Sequence, residues 1–325
     1  MPLTLSLDLL SIIFIITCST LPSFLLLRRL HVNSHQLSLN IAISGALGMG
    51  ITSLITAIIS ALHLMNMPAW LPLVLFMCLT LLFTRPRLHF EKIKFPRFGE
   101  SGIPFWLLIA IIIIHLGINC IASFAPATGV DSLLYHLAIP AIYIRKGGME
   151  YLPSIYPSAW PSTVQMIFLQ ALWIRGAAVA QLANFSSTVF SVMLIWGIMI
   201  REIRHGALAL LTALLYLSLS DVTYQSSIAL IDVVASMFML AALASCIIWI
   251  SDKSWRWLIL AGIFAGLFAS SRITNAGPVI ALAMALAAYD YAFSKERAGK
   301  IIQNVLTFSI CVFLIAFPWY LRSYL

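Results

Sequence analysis

Long apolar segments alternate with short polar loops along almost the whole chain, in a pattern typical of membrane helices. A helix needs about 20 apolar residues to cross a bilayer, and ten segments approach or exceed that length. They are residues 3–27, 38–64, 69–84, 103–121, 178–200, 207–222, 231–250, 256–271, 276–293 and 301–319. The strict alternation that barrel strands need is absent from them. The pattern predicts an all-α, polytopic transmembrane helical bundle of about 10 spans.

Composition agrees with an integral membrane protein. The 325 residues are 62% hydrophobic and 9% charged, with a mean hydropathy of +1.01, whereas soluble domains carry about 25% charged residues. The net charge of +8 comes from short clusters between spans, so it does not indicate nucleic-acid binding. All five cysteines lie in apolar segments and have the spacing of neither a zinc site nor a disulfide framework. We therefore expect no zinc site, no cofactor and no nucleic-acid partner.

The basic residues predict the orientation of the chain in the membrane. Lys and Arg concentrate in cytoplasmic loops. An N-terminus outside the cytoplasm would place 14 of the 19 Lys and Arg inside, namely Arg28, Arg29, Arg85, Arg87, Lys92, Lys94, Arg97, Arg201, Arg204, Lys253, Arg256, Lys295, Arg297 and Lys300. The first span, 3–27, is too long for a cleaved signal peptide and lacks a basic start. We therefore expect the N-terminus to lie outside, with residues 122–160 forming a long external loop.

The apolar segment 162–173 is short and is followed by Arg175. If it spanned the membrane, every later loop would change sides and three basic clusters would lie outside. We therefore interpret it as an interfacial or re-entrant helix, with a short hairpin against residues 178–200 as the alternative.

The external loop carries polar residues that the flanking spans lack. It begins ATGVDSLLYHLAIPAIYIRKGGMEYLP, in which TGVD (128–131) matches a helix start capped by Thr128 and Asp131. Arg145 and Lys146 followed by two glycines are typical of a helix end. The segment predicts a helix lying on the outer membrane surface, kinked at Pro140, before an extended proline-rich run.

Asp131 has two interpretations. It caps a helix, or it is a carboxylate at the mouth of a membrane cavity that serves as a general base. Tyr135 lies four residues later on the same helix face, and His136 lies beside it. In the same way Asp232 is either a cap of the next span or part of a two-carboxylate site, and Arg272 either reaches for the membrane interface or holds a phosphate.

The loop and three later segments, taken in order, resemble the GT-C glycosyltransferase superfamily. The later segments are ALIDVVASMFMLAALA (229–244), LAGIFAGLFASSRITNAGPVIALA (260–283) and FPWYLRSYL (317–325). The branch that these segments most resemble is the bacterial one related to protein O-mannosyltransferases and lipid A aminoarabinose transferases. That branch is mostly metal-independent, so the resemblance implies a bacterial inner (plasma) membrane protein without a metal. The resemblance covers about residues 103–325 and divides the chain into N-terminal helices, 1–102, and a GT-C-like module, 103–325, containing the external loop.

The resemblance implies transfer of a sugar from a polyprenyl-phosphate carrier to a lipid, glycan or protein acceptor at the external face. Asp131 and Asp232 match the family's catalytic acidic positions, and Arg272 matches a basic residue that binds the donor phosphate. The further expected substrate-binding residues are Tyr135, His136, Lys146, Tyr156, Gln165 and Arg322. Tyr156 and the neighbouring Trp160 are equally typical of interfacial anchors.

Three features depart from the family pattern. Relatives commonly have Lys at the position of Arg272, many have one span before the catalytic loop where this chain has three additional N-terminal spans, and they usually continue beyond the motif that ends here at Leu325. The last feature predicts a fragment or a short form. Two other functions therefore stay open: a non-catalytic relative in envelope polysaccharide assembly, and a transporter. A transporter would need polar residues near the bilayer midplane, usually in repeated halves.

Overall fold

The computed structural model describes residues 2–84, 98–294 and 296–324. Of these, Pro2 and residues 98–101 are described by their backbone alone. These ranges form thirteen α-helices and contain no strand. The helices are α1 (Pro2–Arg29), α2 (Leu37–Ala61), α3 (Leu71–Thr84), α4 (Phe98–Ala122), α5 (Ala138–Lys146), α6 (Thr163–Ile174), α7 (Ala177–Ile203), α8 (Gly206–Leu217), α9 (Ser220–Gln225), α10 (Ile231–Asp252), α11 (Trp255–Ala269), α12 (Ala276–Ala292) and α13 (Ala298–Tyr324). The all-α bundle predicted from the hydrophobic pattern is confirmed.

Seven of the helices within the described residues are long and apolar enough to cross a membrane. They are α1, α2, α4, α7, α10, α12 extended by the preceding turn, and α13. Within α4 the membrane-spanning part runs from Gly102 to Ala122, because a φ of 65° at Gly102 breaks the helix there. Each remaining predicted span also contains a helix. However, α3, α8 and α11 have 14, 12 and 15 residues, less than a single crossing takes.

One predicted boundary is wrong. The expected span 207–222 ends at Leu217, and a separate helix, α9, begins at Ser220. Segment 162–173 forms α6, and every residue from Thr163 to Ala171 is buried inside the protein. Only Arg175 and Gly176 connect α6 to α7, so the two form the short helical hairpin that the sequence left open.

The basic loops meet at one end of the bundle, here called the basic end. Arg201 at the end of α7 donates to the Ser34 carbonyl between α1 and α2 and to Asp252 at the end of α10, at 2.9 Å. Lys253 donates to Ser294 beyond α12. This grouping agrees with the predicted topology for these clusters. The basic loop 85–97 and Lys295 lie outside the described residues.

The opposite end, here called the loop end, carries residues 123–162 and the polar segments around α9 and after α11. Two buried amides of α7 hold it together. Gln181 donates to the carbonyls of Ser123 and Ala125, and Asn184 donates to the carbonyl of Gln225, at 2.6 Å. Because a buried amide that loses its partners is costly, these bonds fix where the loop leaves α4 and where the chain approaches α10.

Close packing between α11 and α13 sets the position of the last span. A Cβ on Gly262 would lie 2.7 Å from the Phe308 carbonyl oxygen, and one on Gly266 would lie 2.8 Å from Cβ of Ile315. The two glycines therefore allow the helix backbones to approach each other, as the GxxxG spacing predicts. The result matters for function because the end of α11 and the end of α13 border the same part of the loop end.

Candidate active site

The predicted helix start at Asp131 is a wide turn without a side-chain cap. The Leu137 amide donates to the Ser132 carbonyl, five residues back, at 2.8 Å, and residues 132–136 form a single π-helical turn before α5. Asp131 makes no capping bond, and no hydrogen bond joins Thr128 to it, so the capping interpretation of the TGVD sequence is wrong. The helix is interrupted at Leu137, three residues before the kink predicted at Pro140. Pro140 instead lies in the first turn of α5, where its missing N–H costs little.

The carboxylate of Asp131 interacts instead with Tyr135. Burial, together with a hydrogen bond to Asp131, raises the pKa of the Tyr135 hydroxyl to about 12. The hydroxyl therefore stays protonated at physiological pH and can only donate towards the carboxylate. Asp232 and Arg272 also act electrostatically on this hydroxyl. Four of the predicted site residues, from three separate parts of the chain, are thus close enough to interact electrostatically.

His136 is buried behind this group, with 3% of its surface exposed. Burial lowers the pKa of its imidazole to about 4, so the ring is neutral near pH 7. Nε2 of Gln165, on α6, lies 3.2 Å from Nδ1 of the ring. An amide nitrogen only donates, so with this amide orientation Nδ1 accepts and the ring proton is on Nε2. His136 and Gln165 therefore join the π-helical turn to the buried helix α6.

Asp232 and Arg272 form an ion pair across the end of the bundle. Nη1 of Arg272 lies 3.2 Å from Oδ1 of Asp232, and both side chains are about half exposed, 52% and 49%. Asp232 belongs to the first turn of α10, where Leu230 is the cap residue. The pair occupies one nitrogen of a guanidinium that has five N–H donors, so the cation retains capacity for an anion.

Two backbone contacts bring these segments together. The Ser132 hydroxyl donates to the Ala229 carbonyl at 3.0 Å, which joins the Asp131 turn to the approach to Asp232. The Thr163 hydroxyl donates to Ser270 Oγ at 2.7 Å, and its amide donates to the Ser270 carbonyl. The second contact holds the start of α6 against Ser270, which lies two residues before Arg272 in the sequence. Sequence reasoning missed both contacts, since a carbonyl acceptor has no residue signature.

Aromatic rings border the site on the side of the proline-rich run. Trp160 meets Tyr135 edge to face with ring centres 6.0 Å apart, and Tyr156 meets Trp160 in the same way at 5.6 Å. Tyr156 is 70% exposed. The rings form a continuous edge from the Asp131 turn outwards, which suits contact with a sugar or with interfacial lipid.

An apolar groove of about 430 Å³ runs beside Arg272, between the end of α11, α12 and α13. Ala269 and Ala276, which flank the Arg272 turn, are part of its wall, as are Ala283 and Phe317. The Tyr320 hydroxyl donates to the Ala269 carbonyl at 3.1 Å and fixes α13 against the end of α11. The turn that carries Arg272 therefore lies next to the groove, although Arg272 itself does not line it.

Two of the predicted substrate-binding residues are engaged elsewhere. Nη2 of Arg322 donates to the Tyr143 hydroxyl at 3.0 Å and to the Ser158 carbonyl at 2.8 Å, so Arg322 ties the external loop to α13. Lys146 pairs with Glu150 one turn away. Neither contact involves Asp131 or Asp232. Within the described ranges, no three His, Cys, Asp or Glu side chains are grouped as metal ligands would be.

Residues 175–325 match the family model of dolichyl-phosphate-mannose-protein mannosyltransferases. The match includes Asp232, Arg272 and Arg322, and it supports the GT-C superfamily and a membrane glycosyltransferase that uses a polyprenyl-phosphate-linked sugar. It begins after Asp131, Tyr135, His136 and Gln165, whose association rests on the geometry above. No curated protein and no solved structure matches the chain.

Proposed function

We propose that the chain transfers a sugar from a polyprenyl-phosphate donor to an acceptor hydroxyl, and that the loop end is the active site and faces the outside of the membrane. The single observation that carries the proposal is the meeting of the Asp131–Tyr135 pair with the Asp232–Arg272 pair. A carboxylate and a cation that come from separate elements and converge on one point match the two needs of this reaction. One group receives a proton, and the other balances the charge of a leaving phosphate.

The donor phosphate would bind Arg272. Its planar guanidinium donates through two edges, so it can keep Asp232 on one nitrogen and accept a phosphate on the others. The groove near it would hold the first isoprene units, since its wall is apolar and Ala269 and Ala276, on either side of the Arg272 turn, belong to that wall. Asp232 then holds the arginine in place before the donor arrives.

The reaction would be a single displacement with inversion at the anomeric carbon. The acceptor oxygen attacks that carbon while its proton passes to the Asp131 carboxylate. The bond from the anomeric carbon to the phosphate oxygen breaks, and its electron pair leaves with the polyprenyl phosphate. Tyr135 donates to the Asp131 carboxylate and so fixes its direction, and Arg272 stabilises the charge that grows on the phosphate.

Sugar transfer in reconstituted membranes tests this function. Purified protein in liposomes receives a panel of radiolabelled polyprenyl-phosphate sugars, including the mannosyl form, with lipid, glycan and peptide acceptors. We expect one donor to give labelled product and Asp131→Asn to lower the rate by about 10²- to 10⁴-fold, the usual contribution of a general base.

The matched control is Asp221→Asn, because Asp221 is an exposed carboxylate at the same end of the bundle, on α9. Its replacement should leave transfer unchanged. If folded wild-type protein used no donor in the panel, the proposed function would be wrong. If wild type transferred sugar and Asp131→Asn did so equally well, the role of Asp131 alone would be wrong.

A further inference from the structure

The connection between α2 and α3, residues 62–70, lies against the end of α5. Two backbone hydrogen bonds join these segments. The Met65 amide donates to the Gly147 carbonyl at 3.1 Å, within the connection itself. The Met149 amide donates to the Ser60 carbonyl, in the last turn of α2, at 2.8 Å. The turn in which α5 ends is therefore paired with the N-terminal helices through its own backbone.

The two segments are in direct contact at Gly148. A Cβ on Gly148 would lie 2.3 Å from Nδ1 of His63 and 2.8 Å from its Cα, whereas non-bonded heavy atoms pack at about 3.5–4.0 Å. The left-handed φ belongs to Gly147 and not to Gly148. The closeness of His63, rather than backbone strain, thus excludes a side chain at Gly148 and sets how near the end of α5 comes to the α2–α3 connection.

Met65 supplies the buried side chain of the connection. It is 4% exposed. Its hydrophobic cluster also contains Ile139 and Tyr143 of α5 and Leu169 of α6. The helix α5 has nine residues, and isolated helices shorter than about 12–15 residues are at best marginally stable in water. The conformation and the position of α5 therefore depend on this packing.

The second support of the π-helical turn, through Gln165 of α6, leads to the same helices. The Thr56 hydroxyl, on α2, donates to Gln170 Oε1 of α6 at 2.8 Å. Nε2 of Gln170 donates to the carbonyl of Ala69, in the α2–α3 connection, at 2.7 Å. Gln170 is 3% exposed, and a buried amide that loses its partners is costly. The N-terminal helices therefore hold both α6 and the end of α5.

We propose that the α2–α3 connection positions the Asp131 carboxylate for proton transfer, acting through α5 and the π-helical turn; this inference rests on the proposed function. Only Leu137 separates the turn from α5, so a displaced end would move the turn through one rigid helix of roughly 13 Å. Neither the connection nor α2 contributes to the Asp232–Arg272 pair or to the groove. The connection therefore acts on the catalytic step and leaves donor binding unchanged.

Gly148→Ala breaks the fit to His63 and provides the first test, in the liposome transfer assay. The kcat should fall by about 10²-fold, as a misplacement of about 1 Å causes, while the donor KM should change by less than about twofold. Adding His63→Gly should recover about tenfold of the lost rate, because the imidazole is nearest to the added methyl group and the φ of 55° at position 63 suits glycine. Gly117→Ala is the matched control, since a Cβ there meets no atom within 4 Å, and it should keep both constants.

Hydrogen exchange of the full chain measures the same coupling without sugar transfer. In Gly148→Ala the amides of residues 132–148 should exchange about tenfold faster than in wild type, while those of α7 should stay within about twofold. Met65→Ala should have the same effect through the buried cluster, which provides a second variant should Gly148→Ala not fold. Met67→Ala is its control, because Met67 is half-buried in the same connection but outside the cluster.

Unchanged exchange of residues 132–148 in both Gly148→Ala and Met65→Ala would overturn the inference, whether or not the chain transfers sugar. So would an unchanged kcat in a Gly148→Ala variant that exchanges faster, or a raised donor KM in place of a lowered kcat. Equal losses in Gly148→Ala and Gly117→Ala would indicate a general effect of an added methyl group. If wild type transferred no sugar, the proposed function would be wrong, and faster exchange in Gly148→Ala would still support the coupling between the connection and the turn.

Discussion

At both ends of the bundle, charged side chains join helices that are distant in the sequence. The two ends differ in how far those charged groups are exposed to solvent. At the basic end, Asp290 is 1% exposed, accepts from Asn304 at 2.9 Å and lies 4.0 Å from Lys253. At the loop end, Arg272 and Asp232 are paired but about half exposed. The first carboxylate is closed off by protein, whereas the second pair is open to a ligand.

The difference shows which charges serve the fold and which remain available for chemistry. Lys253 donates to Ser294 and lies against the rings of Trp249 and Tyr289, at 4.9 and 5.0 Å from their centres. Its ammonium group is thus largely committed to neighbours. Arg272 commits one nitrogen to Asp232 and keeps other donors. Four predictions test this contrast, in order of decreasing effect.

Of these four predictions, the one at Arg272 has the largest expected effect. Arg272→Gln removes the charge that we assign to the donor phosphate, and should lower sugar transfer by about 10²- to 10³-fold, as loss of an electrostatic stabiliser of a transition state does. The stability of the fold should change little, because exposed ion pairs contribute about 0–1 kcal/mol. Rate measurements beside a thermal unfolding scan separate the two.

Arg145→Gln is the control for Arg272, since Arg145 is an exposed arginine at the end of α5, at the same end of the bundle. It should retain the wild-type rate. A similar loss of rate in both variants would mean that general positive charge, rather than the position of Arg272, supports transfer.

Acidification tests the buried part of the site. The pKa of His136 is lowered by burial to about 4 in the folded chain, from an ordinary value of 6.5. Between these values the unfolded state binds more protons, so stability is lost as the pH falls from about 6.5 towards 4. The maximum loss is about 3 kcal/mol.

Unfolding scans at several pH values should show this loss in wild type and a weaker one in His136→Gln. His35→Asn is the control, because His35 is exposed and its left-handed φ of 61° suits Asn. An unchanged pH dependence in His136→Gln would contradict the assignment of the loss to this ring.

Asp290 at the basic end should behave in the opposite way to Arg272. Asp290→Ala leaves the buried Asn304 amide without its acceptor and should lower the free energy of unfolding by about 1–3 kcal/mol. The transfer rate per folded molecule should not change. Glu202→Ala breaks the ion pair with Arg201, in which the Glu202 side chain is 42% exposed. This variant should lower the free energy of unfolding by less than Asp290→Ala does. If folded Asp290→Ala transferred sugar more slowly than wild type, the assignment of a purely structural role to the basic end would be wrong.

The smallest effect is expected from Tyr135→Phe. The ring can keep its edge-to-face contact with Trp160, and only the hydroxyl that donates to Asp131 is lost. Loss of one such bond corresponds to a rate decrease of about tenfold. Kinetics at saturating donor would measure it, and an unaltered rate would show that the hydroxyl does not orient the carboxylate.

The sequence predicts the helices well because apolar periodicity and length are local properties. The glycine stop after Lys146 is also correct, since Gly147 has a left-handed φ of 76°. The errors arise where tertiary contacts override local signals. Segment 162–173 has the composition of an interfacial helix, yet it is buried because α2 and α7 pack against it. Hydrogen bonds from Ser53 and Thr56, both on α2, reach it.

The candidate site is predictable in its residues but not in its connections. The spacing of Asp131 and Tyr135 indicates their proximity correctly, although the turn between them is π-helical. Asp232 and Arg272 are 40 positions apart, and their pairing depends on how α10 and α11 return to the same end. Arg322 and Lys146 are predicted to bind substrate. In the fold Arg322 contacts Ser158 and Lys146 contacts Glu150, and no sequence motif indicates either contact. The orientation of the two ends across the membrane stays a prediction.

The most direct test of the central claim compares two carboxylates, one from each end, in the same transfer assay. Asp131→Asn and Asp290→Asn are reconstituted at equal folded concentration, and the initial rate of sugar transfer is measured for each. We expect Asp131→Asn to lose transfer by about 10²-fold or more and Asp290→Asn to match wild type. Full activity in Asp131→Asn, or an equal loss in both variants, would contradict the central claim.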